Sequence, residues 1–560
     1  MKNATRVLAL SLVLAMLFAL ASCTKPADTG TSEPTPTPEQ SNTGGPLIED
    51  TSLSVTELAN GYMYKTNDAD TAGKKTAADT LIIGTNKAIE AAQPCQTDHS
   101  DAQMVIYDRL FDYDVNTGTY EPSLAVEWGY VDDTHFELKI RDDVYFHNGE
   151  HLTIDDVIFT IENLKNVDQC PKWCNYFDAI NIADVEVIDD YHCIIPLDYA
   201  WGLFESYFSM SWGGIICRSY MEANPDSYWE APNGTGPFVQ SEIIAGDRQT
   251  LTANKNYWGE LPQGYEKIIV KYYADPATMY IDYEAGNLDV IYFANSEDVQ
   301  RALDGGVDHS TVQIVNSDVV YCLGLWTGHE AFADPLVREA VSCAIDFDIV
   351  CEIGMGILGT PTDSILTKSC AYAASYDLPG CDVDRAKDLL KQAGYENGFE
   401  FVFGCNSNAI FTAMAEVLQG MLSEVGITMK IETYDASALV GKLLGANNNG
   451  VPEVDSWFWT KSQTTRDPSE ALAQFEYGNS FAIGAVTDEA VGQLFEDGKR
   501  AVDFDERYAI YEDIQDYLCG TYVLDPIGEY CFAVIYRDYV QDWTVAFPKG
   551  DIISRININA

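Results

Sequence analysis

The residues with the clearest chemical potential are His147-Asn-Gly-Glu150-His151, which spell H-x-x-E-H. On a helix that spacing puts two imidazoles on one face beside a carboxylate, the arrangement of some zinc peptidases. Here Asn148-Gly149 directly follows the strand-like Val144-Tyr-Phe146 and marks a turn, so the rings are not expected to share a metal. Gly354-Met-Gly356-Ile-Leu-Gly359 spells G-x-G-x-x-G, but a dinucleotide loop follows a strand and opens a helix. These glycines follow a helical pattern and run into Thr360-Pro361, which reads as a helix stop and loop. Asp112-Tyr-Asp114-Val-Asn116-Thr-Gly118 approaches a calcium loop, yet its glycine is one position late and Ser123 stands where a bidentate Glu would close the site. A hairpin turn at Asn116 to Gly118 is expected instead. Gly445-Ala-Asn-Asn-Asn-Gly450 continues with Val451 rather than the Lys of a phosphate loop, and there is no G-x-S-x-G elbow. No catalytic residue, metal or cofactor is therefore assigned.

Lys2 and Arg6 precede an apolar run from Val7 to Ala21 broken only by Ser11. Spanning a bilayer takes roughly 20 apolar residues, whereas a secretory signal has a basic start, an apolar stretch of roughly 7–15 residues and small residues at its end. Residues 1–22 read as a signal peptide, and Leu20-Ala21-Ser22-Cys23 resembles a lipobox, which makes Cys23 the expected lipid anchor. Thr24 to Leu47 holds five prolines, three glycines and no aromatic residue, too little apolar surface to fold, so residues 23–78 are expected to be largely a disordered tether. No later stretch has the length of a membrane-spanning helix. The 87 acidic and 33 basic residues give a net charge of −54, which repels phosphate backbones and anionic headgroups and excludes nucleic acid as a partner. Fourteen cysteines less Cys23 leave an odd number, so at least one thiol stays unpaired. Cys170-Pro-Lys-Trp-Cys174 has the spacing of a local disulfide, a pairing the sequence leaves open, and lacks the paired C-x-x-C of a zinc site.

These residues need elements to position them, and the patterns alternate between strand and helix. Asp79-Thr-Leu-Ile-Ile-Gly84 reads as the first strand of the folded body. Thr153 and Asp156 form a capping box ahead of Ile154, Val157, Ile158 and Ile161 on one helical face. Asp334-Pro335 caps and presets a helix bearing Val337, Ala340, Val341 and Ala344. Ala386, Leu389, Leu390 and Ala393 repeat the pattern up to Gly394. A longer helix from Phe411 through Val425 stops at Gly426 and gives way to the alternating strand Ile427 to Glu432. Interleaved strands and helices over roughly 480 residues predict α/β lobes and two to four domains.

Several blocks, in order, resemble the family 5 bacterial extracellular solute-binding proteins. They are Ile106-Tyr-Asp-Arg-Leu-Phe111, Pro122 to Trp128, Phe136 to Asp142, Phe146-His-Asn-Gly149, Leu152-Thr153 and Asp156-Val157. Then follow Gly234-Thr-Gly-Pro-Phe238, Asn254-Lys-Asn-Tyr-Trp-Gly259, Gly286-Asn-Leu-Asp289, Phe332-Ala-Asp334 and Ala344-Ile-Asp346, with Asp384, Leu389-Leu390 and Ala393-Gly394-Tyr395 beyond. The resemblance implies an α/β, bilobed clamshell of the periplasmic-binding-protein type with an extra domain on the first lobe. It places lobe 1 at 79–320 plus 525–560, the extra domain at about 110–200, and lobe 2 at 321–524. It implies a monomeric receptor, held by its lipid outside the cell membrane, that delivers a ligand enclosed between the lobes to an ABC permease and its ATPase subunits.

Peptide-binding relatives often read F-D-x-x-x-x-G-W-x-x-D-Y-x-x-P, the second Asp holding the peptide ammonium. Asp455 and Pro468 keep that separation, so Thr464 falls at the amine-binding position and Lys461 at the Trp position, with Trp457 and Trp459 just upstream. Trp326 stands where relatives commonly have Asn. A buried ammonium without a partner is costly, so a peptide needs another acid: Asp467, three residues on, or Glu90 after the first strand. The expected ligand is a peptide. The alternative is an oligosaccharide or other polar solute, since Trp faces suit sugars; a zinc-dependent hydrolase using His147 and His151 is a third reading.

Overall fold

The computed structural model describes residues 54–58, 61–65, 79–87, 103–114, 119–166, 168–170, 174–306, 309–376, 378–445, 451–463, 467–475, 489–501, 503–541 and 557–558. Cys23 and residues 24–53, Glu90, the turn at Asn116 to Gly118, and Thr464 lie outside these residues. The chain divides into a unit of Glu49–Val315 with Ala533–Ala560 and a unit of Asn316–Phe532. Two long strands, Ser310–Leu325 and Leu524–Arg537, carry the chain from the first unit to the second and back.

In the first unit, Thr80–Thr85 lies parallel to both Lys267–Tyr272 and Val290–Tyr292. Parallel neighbours need a crossover, supplied by the helix Pro276–Glu284, which Asp275 caps by accepting from the backbone of Ala277 and Thr278. Arg248–Ala253 and Phe238–Ile244 extend this sheet antiparallel. A separate antiparallel sheet runs Ala125–Asp132, His135–Ile140, His192–Pro196, Glu186–Asp189. His135–Ile140 buries alternate residues, Phe136, Leu138 and Ile140, which is what a sheet with one solvated face requires. The helix Ile154–Lys165 carries the expected capping box, the Asp156 carboxylate accepting from the Thr153 backbone at 3.0 Å.

In the second unit, Glu400–Asn406 pairs parallel with Thr428–Tyr434 across the helix Ala409–Glu424, and Ser456–Ser462 pairs antiparallel with Ser310–Leu325. Side chains along a strand alternate between faces, and both faces are covered here. Val319, Tyr321, Leu323 and Leu325 join Phe401, Phe403 and the helices Pro335–Ala344 and Ala409–Glu424 in one core. Val320 and Cys322 join Trp457, Trp459 and the helix Phe504–Gly520 in the other. Each fully buried aliphatic or aromatic side chain contributes about 1.5–3 kcal/mol. The helix expected before Gly394 spans Val383–Gln392, and the glycine-spaced segment is a helix end, Phe347–Met355, a single 3-10 turn and the short strand Gly359–Pro361.

Candidate ligand-binding residues

The H-x-x-E-H segment is a tight turn. Gly149 has a φ of 90°, a conformation that favours glycine, its N–H donates to the Phe146 carbonyl at 2.8 Å, and the Phe146 N–H donates to the Glu150 carbonyl at 2.8 Å. His147 Nε2 bonds the Gly236 carbonyl at 2.9 Å, and His151 Nε2 bonds the Asp142 carbonyl at 2.9 Å. A carbonyl only accepts, so both rings carry their proton on Nε2 in these bonds. Burial pushes the His147 imidazole below its usual range, against the hydrogen bond to Gly236. His147 thus clamps the turn onto the Gly234–Phe238 segment.

That clamp belongs to a larger polar cluster. Asp108 is buried, and its Oδ2 accepts from Trp258 Nε1 at 2.7 Å and from Thr235 Oγ1 at 2.9 Å, while Oδ1 accepts from the Tyr257 hydroxyl at 3.2 Å. Burial raises the carboxyl, and the bonds from Trp258 and Thr235 work in the opposite sense. The Arg141 guanidinium stacks 4.0 Å from the Trp258 ring. Asp108, Thr235 and Tyr257-Trp258 come from three separate blocks of the sequence pattern, and His147 and Arg141 from two more. Three of these blocks therefore meet at one buried carboxylate, and His147 and Arg141 pack onto their residues around it. The sequence showed the blocks but not their convergence, because no spacing rule links positions so far apart in the chain.

The tryptophans proposed for ligand contact fall in the second unit. Trp459 pairs with Cys322, Trp457 with Gly324 and Lys461 with Val320 across the Ser456–Ser462 and Ser310–Leu325 strands. Trp457 and Trp459 are buried on the same face, and Trp326, half-buried, packs on the same core. Gly324 leaves room for the Trp457 indole, since a Cβ there would stand 3.2 Å from the ring. Phe458, between them, faces the opposite core with its ring 4.9 Å from Phe403. Trp459 packs 4.9 Å from Phe475, and its indole N–H has no acceptor among the described residues.

Asp467, expected as a replacement amine reader, is engaged within its own unit. Its Oδ1 accepts from the backbone N–H of Ser469 at 2.9 Å, capping the helix Pro468–Leu472, and from Arg507 Nη2 at 2.9 Å; its Oδ2 accepts from Arg507 Nη1 at 2.5 Å. Burial opposes the charge on Arg507, but the Asp467 charge and hydrogen bonds outweigh it and hold the guanidinium charged. Both carboxylate oxygens and the charge are thus taken. Among the described residues there is no group of three or more His, Cys, Asp or Glu placed to hold a metal ion, and no helix long and apolar enough to cross a membrane.

Two α/β units joined by long crossing strands define the fold class of the periplasmic binding proteins. The family model for bacterial extracellular solute-binding proteins, family 5 Middle, matches residues 119–482. The chain belongs to that family of solute-binding proteins. It is 25% identical over 471 residues to heme-binding protein A of Haemophilus influenzae, covering 76% of this chain and 84% of that protein. It is 22% identical to the dipeptide-binding protein of Escherichia coli K12, covering 80% of this chain and 88% of the relative. Among solved structures, NikA from Brucella suis in complex with Fe(III)-EDTA superposes with a TM-score of 0.76 at 23% identity, over 86% of this chain and all of the other.

Proposed function

We propose that the chain is the substrate-binding lipoprotein of an ABC importer, anchored through Cys23 outside the cell membrane, and that it captures peptides for the permease. The observation that carries this reading is the family match together with similarity to a dipeptide-binding protein over most of both chains. Trp326, half-buried at the edge of the core that contains Trp457 and Trp459, offers an aromatic surface on which an apolar peptide side chain would gain about 25 cal/mol per Å² buried. Binding follows the physics of receptors that change shape: a solute shifts the population only by its differential affinity for the two states. The chain needs no energy source of its own for capture. Transport energy comes from the ATPase subunits of the importer.

The test is native mass spectrometry of the mature protein against di-, tri- and tetrapeptide mixtures, maltooligosaccharides, hemin and nickel. Retention of peptides alone is expected. Retention of an oligosaccharide, hemin or nickel with no peptide overturns the peptide reading. Anchoring is tested separately: Cys23→Ser should move the folded protein from the membrane fraction to the medium, and retention in the membrane refutes the anchor.

A further inference from the structure

Glu529 is a buried carboxylate that forms no ion pair among the described residues, the Lys368 charge acting on it only at longer range. It lies on the Leu524–Arg537 strand opposite Thr360, is 2% exposed, and accepts the Lys368 backbone N–H on Oε1 at 2.6 Å. Asp467, equally buried in the same unit, has the bidentate Arg507. Burial raises the Glu529 carboxyl to about 7; the Lys368 charge and amide lower it, and Asp363 raises it further. Unpaired buried carboxylates are costly, so one retained beside a backbone donor is a place where a ligand charge adds net stabilisation.

The surroundings point to the same kind of ligand. The N–H of Thr367, the residue before Lys368, donates to Gln463 Oε1 at 3.0 Å, so Glu529 and Gln463 occupy consecutive peptide groups. Ile365, Leu366 and Cys370 of that same segment pack in one core with Trp457 and Trp459. Trp459 is 6% exposed and its Nε1 has no acceptor among the described residues, whereas a buried indole N–H ordinarily finds one. Among the described residues, one segment therefore borders a carboxylate in no ion pair and a core containing an indole donor with no acceptor. Indole faces also attract cations.

We propose that Glu529 receives a primary ammonium group of the ligand, with the Trp459 indole donating to a ligand oxygen near it. The assignment rests on the solute-receptor reading and narrows the ligand class to amines carried on an apolar or aromatic body. The ligand's ammonium meets a carboxylate on the Leu524–Arg537 strand, and no residue of the Asp467–Arg507 pair is required.

The experiment uses the mature chain and two probes, 2-phenylethylammonium and the uncharged 2-phenylethanol, titrated by calorimetry. The wild type should bind the ammonium at least tenfold more tightly than the alcohol, and Glu529→Gln should reduce that preference below twofold with an unchanged circular dichroism spectrum. A second measurement needs no variant. With the carboxyl at about 7, ammonium binding at pH 7 should release about half a proton, read from calorimetry in buffers of different ionisation enthalpy. No ammonium preference in the wild type, a preference unchanged by Glu529→Gln, or no proton release overturns the assignment. Glu529-dependent ammonium binding by a protein that retains no peptide rejects the peptide reading and keeps the subsite. Peptide retention without ammonium preference does the reverse.

Discussion

Replacing Asp467 with Asn separates a structural acid from a ligand-reading one. Asn keeps a side-chain oxygen for the Ser469 N–H, so the cap on Pro468–Leu472 survives. What disappears is the charge facing Arg507, whose side chain is 8% exposed while that of Asp467 is 5% exposed. The guanidinium keeps the Gly498 carbonyl at 2.8 Å and the Tyr372 and Tyr511 rings, each 5.1 Å away. Those contacts do not neutralise it. Removing one member of a buried ion pair costs about 3–5 kcal/mol. For a unit of this size each kcal/mol shifts Tm by about 2–4 °C, which places the loss between about 6 and 20 °C. Asp467→Asn/Arg507→Leu should recover at least half of that loss, because the leucine leaves no charge behind. Scanning calorimetry and urea denaturation followed by circular dichroism measure both variants. Ligand affinity measured well below the variant's Tm should match the wild type. A loss below about 1 kcal/mol accompanied by abolished binding refutes the structural assignment and returns Asp467 to the ligand.

Three further changes follow from the same interior. Asp525 is fully buried and bonded to Ser342 Oγ at 3.0 Å, and burial raises its carboxyl to about 7 against the opposing effects of Ser342 and Arg338. Its folded value lies above the unfolded one, so its contribution is fully present below about pH 4 and is lost as pH rises through 7; Asp525→Asn should stabilise the protein at pH 8 relative to pH 5 by about 2.6 kcal/mol in urea titrations, and a pH-independent difference refutes it. Asp108→Ala orphans the donors of Trp258, Thr235 and Tyr257 and should cost about 3 kcal/mol or more, read from urea denaturation; a cost under about 1 kcal/mol shows that the three blocks hold together without it. Gly398→Ala and Gly246→Ala form a matched pair, with φ of 74° and 72°. At Gly398 a Cβ would stand 1.7 Å from the Gly426 carbonyl oxygen and at Gly246 it meets nothing within 4 Å, so the first should cost well over the second's about 1–2 kcal/mol in the same denaturation assay, and equal costs refute the steric argument.

Much of the fold was legible because its signals are local. Thr153 with Asp156, Asp334 with Pro335, and the glycine after a periodic apolar run each state a helix end within four residues of chain, and the structure puts helix ends there. The H-x-x-E-H turn was legible for the same reason, since Asn148-Gly149 outweighs a motif that depends on helical geometry. The fate of Asp467 was not. Its partner Arg507 lies 40 residues away on another helix, and periodicity carries no information about which of the many carboxylates in an acidic chain meets one of the few arginines. Trp457 and Trp459 were recognised as aromatic candidates, but alternation alone does not show that both faces of their strand are covered, Phe458 by one core and the two indoles by the other.

Three of the blocks that reveal the family converge on Asp108, far in sequence from the Glu529 and Trp459 proposed to read the ligand. A buried hub tolerates little change, because each of its donors loses an acceptor if the carboxylate goes. A solute subsite has no such internal bookkeeping: its unmet demand is completed by the ligand, so a carboxylate can move from one strand to another without disturbing the scaffold. Relatives named for ligands as different as a dipeptide and heme are each similar to this chain over most of their length. It also directs the search for specificity in a new member toward buried charges and donors left incompletely answered, among which Glu529 and the indole of Trp459 border one segment of the second unit.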